Sequence, residues 1–194
     1  MHYVEGRYFN SNYLSVISSS ERPGIRLYFF ILRINNNSIM EHIRVISGAK
    51  RIALVAHDNK KKDLLEWAYY NRTVLSQHEL IATGTTGKLL EEKLERPVKK
   101  LLSGPLGGDQ QMGAMIAEEK LDMMVFFWDP MEAQPHDSDV KALLRLAVAW
   151  NILLACNRSS ADFILTSVLM QVDYPVVVPD YSGYLNRKII EKAL

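Results

Sequence analysis

Acidic and imidazole side chains recur at one kind of place in this sequence: just after a short apolar run and just before a helix-period segment. His57 and Asp58 stand there, as do Asp109, Asp129, and then His136, Asp137 and Asp139. Carboxylates that share a crevice push one another's proton affinities apart, which is the arrangement that general acid–base chemistry uses. Two glycine-rich stretches occupy equivalent places, TGTTG at 83–87 and SGPLGGD at 103–109. Glycine lets a backbone come close to a ligand. Threonine hydroxyls and the N–H groups of a helix start bind anions with help from the helix dipole. Neither stretch continues into Gly-Lys-Ser/Thr and neither is GxGxxG, so the nucleotide-binding fingerprints are absent. Lys61 lies near the same rim as a point charge. Lys60 and Lys62 read as a solvated face, Asp58 or Asn59 as the cap of the first helix, and His78 as a surface or capping residue.

The elements that must position these residues alternate. IALVA (52–56) is a short apolar run of the kind that forms a buried parallel strand. The spacing of Leu64, Leu65, Trp67 and Ala68 predicts a helix near 60–71. Strand HELIAT (78–83), helix TTGKLLEEKL (85–94), weaker strand VKKLL (98–102), helix 110–119 and strand MMVFFW (123–128) follow. A helix over 138–150, strand ILLAC (152–156), a helix over 160–169, a short strand YPVVVP (174–179) and a helix over 182–193 complete the order. Such alternation without internal repeats predicts an α/β fold with a mostly parallel sheet covered by helices on both faces. In such sheets ligands bind beyond the carboxyl ends of the strands, where the residues above fall.

Composition narrows the function classes. The chain has 194 residues, 23 basic and 22 acidic side chains and a net charge of +1. Near-neutrality argues against a nucleic-acid binder. A single cysteine, Cys156, excludes an intramolecular disulfide and a cysteine-only metal site. The His and Asp spacing lacks HExxH or any dense ligand cluster. No uncharged apolar run reaches the roughly 18–20 residues that span a bilayer, so a cytoplasmic protein is expected. Residues 1–49 are set apart as an N-terminal extension by the breaker clusters SSSERPG (18–24) and INNNS (34–38). They are expected to be disordered, or the product of an upstream start codon, with Met40 as a candidate initiator. Residues 50–194 are expected to form a single catalytic domain.

Taken together, LVAHD (54–58), ATGTTG (82–87), LSGPLGGDQQ (102–111), FFWDP (126–130), PHDSDVKALLRLA (135–147) and ADFI (161–164) resemble the methylglyoxal synthase family. They stand in the family's order and spacing from about Arg51 to Tyr184. The resemblance implies a three-layer αβα sandwich around a doubly wound, mostly parallel sheet, assembled as a homohexamer. It implies conversion of dihydroxyacetone phosphate to methylglyoxal and inorganic phosphate with no metal or organic cofactor. It assigns Asp109 as general base, His57 and His136 to the substrate oxygens, and Asp129 and Asp139 as supporting carboxylates. Lys61, Thr83, Thr85, Thr86, Ser103 and Gly104 become the phosphate cradle. Inorganic phosphate is a product and a candidate inhibitor, with Arg187 and Lys188 near the place where the family carries a regulatory basic residue.

The same fold resembles the effector-binding domain of carbamoyl phosphate synthetase, which makes a regulatory module the rival reading. A binding-only module needs the anion loops but not Asp109, Asp129, Asp139 and His136 together. A metal-dependent lyase is a third reading.

Overall fold

The computed structural model describes residues 42–132 and 137–185. Seven strands lie among them: β1 (His42–Ile46), β2 (Arg51–Ala56), β3 (Glu79–Ala82), β4 (Lys99–Lys100), β5 (Met123–Phe127), β6 (Leu153–Ala155) and β7 (Tyr174–Val178). The helices are α1 (Lys61–Tyr70), α2 (Arg72–Leu75), α3 (Gly84–Leu94), α4 (Gly108–Ala117), α5 (Asp137–Ala149), α6 (Arg158–Leu165) and α7 (Ser182–Leu185). Short 3₁₀ turns at Asp58–Lys60, Gly104–Leu106 and Val168–Gln171 complete the set.

Five strands form one parallel sheet in the order β4-β3-β2-β5-β6. Parallel neighbours need a crossover between them, and helices supply each one here. The sheet is buried on both faces, so β2 reads as an unbroken apolar run while its side chains still alternate. Ile52, Leu54 and Ala56 pack with Leu64 and Trp67 of α1, Leu90 of α3 and Leu165 of α6. Ala53 and Val55 face the other way, toward Met112 and Ile116 of α4 and Val140, Leu143 and Ala147 of α5. The result is three layers, helices–sheet–helices, as the alternation of elements predicts. Trp67 ties α1 to α6 by donating its indole N–H to Asp162 at 2.7 Å. Among the described residues no helix is long and apolar enough to cross a membrane.

Several features differ from the sequence reading. First, residues 42–46 form a strand that the periodicity does not single out. β1 pairs antiparallel with β7, Arg44 opposite Val176, so YPVVVP joins a separate two-stranded ribbon rather than the main sheet. Ile46, Val176 and Val178 pack there with Trp150 and Leu153. The second concerns charge at the amino ends of the strands. Asp122, 2% exposed, precedes β5 and takes both guanidinium groups of Arg44 and Arg51. Arg51 adds its own amide N–H at 2.8 Å. Burial works against the charge of Asp122. The hydrogen bonds from the Arg51 side chain and amide, with the charges of Arg51 and Arg44, outweigh that and hold its carboxyl below the usual range.

His78 is buried, 3% exposed, not on the surface. Its Nδ1 accepts the Lys50 amide N–H at 3.2 Å, and its carbonyl accepts from Arg96 at 2.9 Å. Lys50 is itself fully buried, its ammonium bound to the Ser47 and Val172 carbonyls. Burial, then the Lys50 and Arg96 charges, push the His78 imidazole below its ordinary pKa. The helix starts also differ: neither His57 nor Lys60, the cap positions of the first 3₁₀ turn and of α1, makes a side-chain capping bond. Asp58 pairs instead with Lys61 at 2.6 Å, and Asn59 donates to Glu132 at 2.5 Å. Cys156 is half-buried, and burial raises its thiol pKa.

Two stability measurements follow. Asp122→Ala leaves Arg44 buried without its carboxylate and lowers the unfolding free energy by about 3–5 kcal/mol in denaturant titration. For His78 the unfolded chain takes up the proton first, because the folded pKa is the lower one. Its contribution is whole above an ordinary value of 6.5 and is lost as pH falls from there toward the folded pKa. His78→Asn keeps an acceptor near the Nδ1 position. Its unfolding midpoint therefore falls less than that of the wild type between pH 7.5 and 5.

Candidate active site

Because the sheet is parallel, every β-strand of it ends on one edge, and adjacent strand ends are about 4.8 Å apart. His57 follows β2, Thr83 follows β3, Ser103 follows the extended residues after β4, and Asp129 lies two residues past β5. β2 runs to β3 and β4 on one side, and the chain then crosses back to place β5 on the other side of β2. The β2–β5 junction is therefore the topological switch point, where open α/β sheets form their crevice.

The two glycine-rich loops meet each other. Leu101 donates to the Ala82 carbonyl at 2.8 Å, which carries the chain past β4 along β3. The Gly84 N–H, at the start of α3, donates to the Leu102 carbonyl at 3.2 Å. A Cβ on Gly84 would lie 3.2 Å from the Ser103 nitrogen, so the contact is backbone to backbone. Thr83 caps α3 in an extended conformation, and its side chain makes no capping bond. Thr83 and Thr86 are buried, while Thr85 is exposed. The first-turn N–H groups of Thr85 and Thr86 have no intrahelical acceptor. An α-helix start with hydroxyls on both sides of it can receive an anion there.

The second loop turns tightly. The Leu106 and Gly108 N–H groups both donate to the Ser103 carbonyl at 3.0 Å. Gly107 has φ +102°, a conformation that favours glycine. At Gly108 a Cβ would fall 2.1 Å from the Leu102 carbonyl oxygen, which no side chain tolerates. This close approach sets Asp109 in the first turn of α4, 7% exposed. Its carboxylate lies over Gly104, whose Cβ would stand 3.1 Å from Oδ2. Asp109, Ser103 and Gly104 are thus brought together, and Ser103 in turn abuts Gly84. Gln111, which the residue-type reading did not single out, holds the loop from outside. Its side-chain carbonyl accepts the Leu102 N–H at 2.8 Å. The GGDQQ run is the signal that carried it.

On the other side of the switch point, His57 is buried at 6% exposure. Its N–H donates to the Phe127 carbonyl at 3.3 Å, and its ring stands edge-on to Phe126 with centroids 5.1 Å apart. Its Nδ1 accepts the Asp129 amide N–H at 3.3 Å. An acceptor nitrogen carries no proton, so the neutral ring has its hydrogen on Nε2. Asp129 is half-buried, and its Oδ1 accepts the Met131 N–H at 3.1 Å. Lys61, in the first turn of α1, is held by Asp58 at 2.6 Å. Lys60 reaches Asp63 at 3.9 Å, and Lys62 is exposed. Asp139 lies half-buried in the first turn of α5, beyond β5 on the same edge. His136, with Arg187 and Lys188, lies outside the described residues. Among the described residues no group of three or more His, Cys, Asp or Glu side chains could hold a metal ion.

Residues 63–156 match the family model described as MGS-like domain. Methylglyoxal synthase of Sodalis glossinidius (strain morsitans) is 55% identical over 146 residues, which is 75% of this chain and 95% of that protein. The methylglyoxal synthase of Yersinia enterocolitica is likewise 55% identical, over 75% of this chain and 96% of its own length. A crystal structure of methylglyoxal synthase from Elizabethkingia anophelis NUHP1 superposes with a TM-score of 0.74 at 58% identity. The match covers 77% of this chain and 99% of that one. With the glycine-rich loops, buried aspartate and switch-point histidine in place on the expected fold, the chain belongs to the methylglyoxal synthase family.

Proposed function

We propose that this protein is a lyase that converts dihydroxyacetone phosphate to methylglyoxal and inorganic phosphate, without a metal or organic cofactor. The observation that carries this reading is the place of the Asp109 carboxylate. It is buried over Gly104, in the loop whose Ser103 abuts the start of α3. A base there adjoins the loop that meets the start of α3.

The steps follow from that placement. The helix start of α3, with Thr83, Thr85, Thr86, Ser103 and Gly104, receives the phosphate, and Lys61 adds a positive charge. Asp109 takes a proton from the carbon bearing the hydroxyl group. The electron pair moves into a carbon–carbon double bond, and the carbonyl oxygen becomes the oxyanion of an enediolate. His57 donates from Nε2 to that oxygen, and preorganised donors of this kind stabilise charge as it develops. The hydroxyl oxygen then becomes the aldehyde, losing its proton to a nearby base. The carbon–oxygen bond to phosphate breaks, and the enol left behind takes a proton at its methylene carbon to give methylglyoxal. His136 serves the substrate oxygens, and Asp129 and Asp139 support the histidines. Holding the leaving phosphate across the plane of the enediolate favours this elimination over return of the proton. Inorganic phosphate, as product, competes for the same cradle. Assembly as a homohexamer and a cytoplasmic location belong to the same proposal.

Purified protein incubated with dihydroxyacetone phosphate is expected to release methylglyoxal and phosphate in equal amounts, before and after chelation. Phosphate binding without turnover would favour the effector-binding module. Asp109→Asn is expected to fold and to bind inorganic phosphate by calorimetry, with kcat lower by about 10²–10⁴-fold, the worth of a positioned base. Unchanged turnover would remove Asp109 from that role.

A further inference from the structure

We propose that Asp129 positions His57 through its peptide: the turn it closes holds its own N–H against His57 and fixes the histidine's tautomer. Three contacts support this. The Asp129 N–H points at His57 Nδ1, 3.3 Å away. The Asp129 Oδ1 accepts the N–H of Met131, two residues on, at 3.1 Å. An aspartate bonded in this way to the backbone two residues ahead closes an Asx turn. Upstream, the Trp128 N–H donates to the Phe126 carbonyl at 2.9 Å, so the chain is bent on both sides of the Asp129 peptide. Pro130 restricts the backbone of Asp129 further.

These bonds hold one peptide N–H in a set direction at the β2–β5 switch point. His57 meets it as part of a buried unit, fastened by its own amide to Phe127 and braced by the Phe126 ring. With the hydrogen on Nδ1, two N–H groups would face each other and the Asp129 amide would lose its acceptor. The Nε2–H form is the one this geometry accepts. The Asp129 carboxylate is engaged with the Met131 amide, which an uncharged acceptor of the same length would satisfy equally. The hold on the His57 tautomer therefore does not need the charge of Asp129.

The catalytic consequence rests on the proposed reaction, in which His57 donates from Nε2 to the substrate carbonyl oxygen. The structural part does not, so the two can fail separately. Asp129→Asn keeps the acceptor and removes the charge. Asp129→Glu keeps the charge, but its longer side chain does not close the two-residue turn. Asp129→Ala removes both. The histidine ring nitrogens are followed by ¹⁵N NMR, with the His57 signals assigned by a His57→Gln variant. Methylglyoxal formation is followed across pH.

In the wild type and in Asp129→Asn, His57 is expected as the Nε2–H tautomer. Asp129→Asn gives the same His57 ring signals as the wild type, whatever the loss of the charge does to turnover. Asp129→Glu is expected to show mixed tautomers and a kcat lower by about 10²-fold, the size of one proton-donor contribution, with KM little changed. Asp129→Ala behaves like Asp129→Glu; if it does not fold, the Asn–Glu contrast decides alone. The inference is overturned by an Nδ1–H signal from His57 in the wild type, or by mixed His57 tautomers in Asp129→Asn while Asp129→Glu keeps the Nε2–H form. If the wild type makes no methylglyoxal, the proposed reaction fails and the tautomer comparison still decides the structural claim.

Discussion

Parallel pairing of β2 with β3 on one side and β5 on the other is the constraint from which the rest follows. A parallel sheet places all of its strand ends along one edge. Residues far apart in the chain, such as His57 and Asp129, become neighbours because the sheet sets their strand ends side by side. The helices that close each crossover must then start on that same edge, so their positive ends gather where the carboxylates and imidazoles are. Chemistry that needs an anion held and a proton moved in one small volume is therefore a natural use of this geometry. The opposite edge carries the buried Asp122, Arg44, Lys50 and His78 and the half-buried Arg51, which bind backbone and one another. One end of the sheet holds ionisable groups for structure, and the other holds them at the candidate site.

Much of this was legible in the sequence, and the reasons are physical. Strands buried on both faces are continuous apolar runs, so IALVA and MMVFFW could be placed within about one residue. A glycine loop between such a run and a helix marks the carboxyl edge of a parallel sheet, and this located Thr83, Ser103, Gly104 and Asp109. The helix over 160–169 was read too long, because the chain leaves α6 at Leu165 and makes a 3₁₀ turn at Val168–Gln171.

What stayed hidden was long-range partnership. Arg44 sits in a short strand between Ile43 and Val45 and carries no mark of its burial; its partner Asp122 is 78 positions away. Likewise β1 and β7 are separated by more than 120 residues, and antiparallel register is a property of the pair. His78 looked like an edge residue because it begins a strand. It is buried because Lys50 and Arg96, from two other segments, close over it. Asp58 and Asn59 have the residue types of helix caps, yet their side chains bond to Lys61 and Glu132. Residue type states what a group can do, while the surrounding fold decides which of those options is taken.

The contact between Gly108 and Leu102 has a mechanical meaning. With less than a methyl group's clearance between α4 and the strand-end loop, nothing compressible separates them, so thermal displacements of one are passed whole to the other. The carboxylate of Asp109 is then held close to the backbone of Gly104. Positional scatter between a proton acceptor and an anion seat is thereby suppressed at its source. The chain does this by leaving atoms out, where most tight sites do it by adding packing.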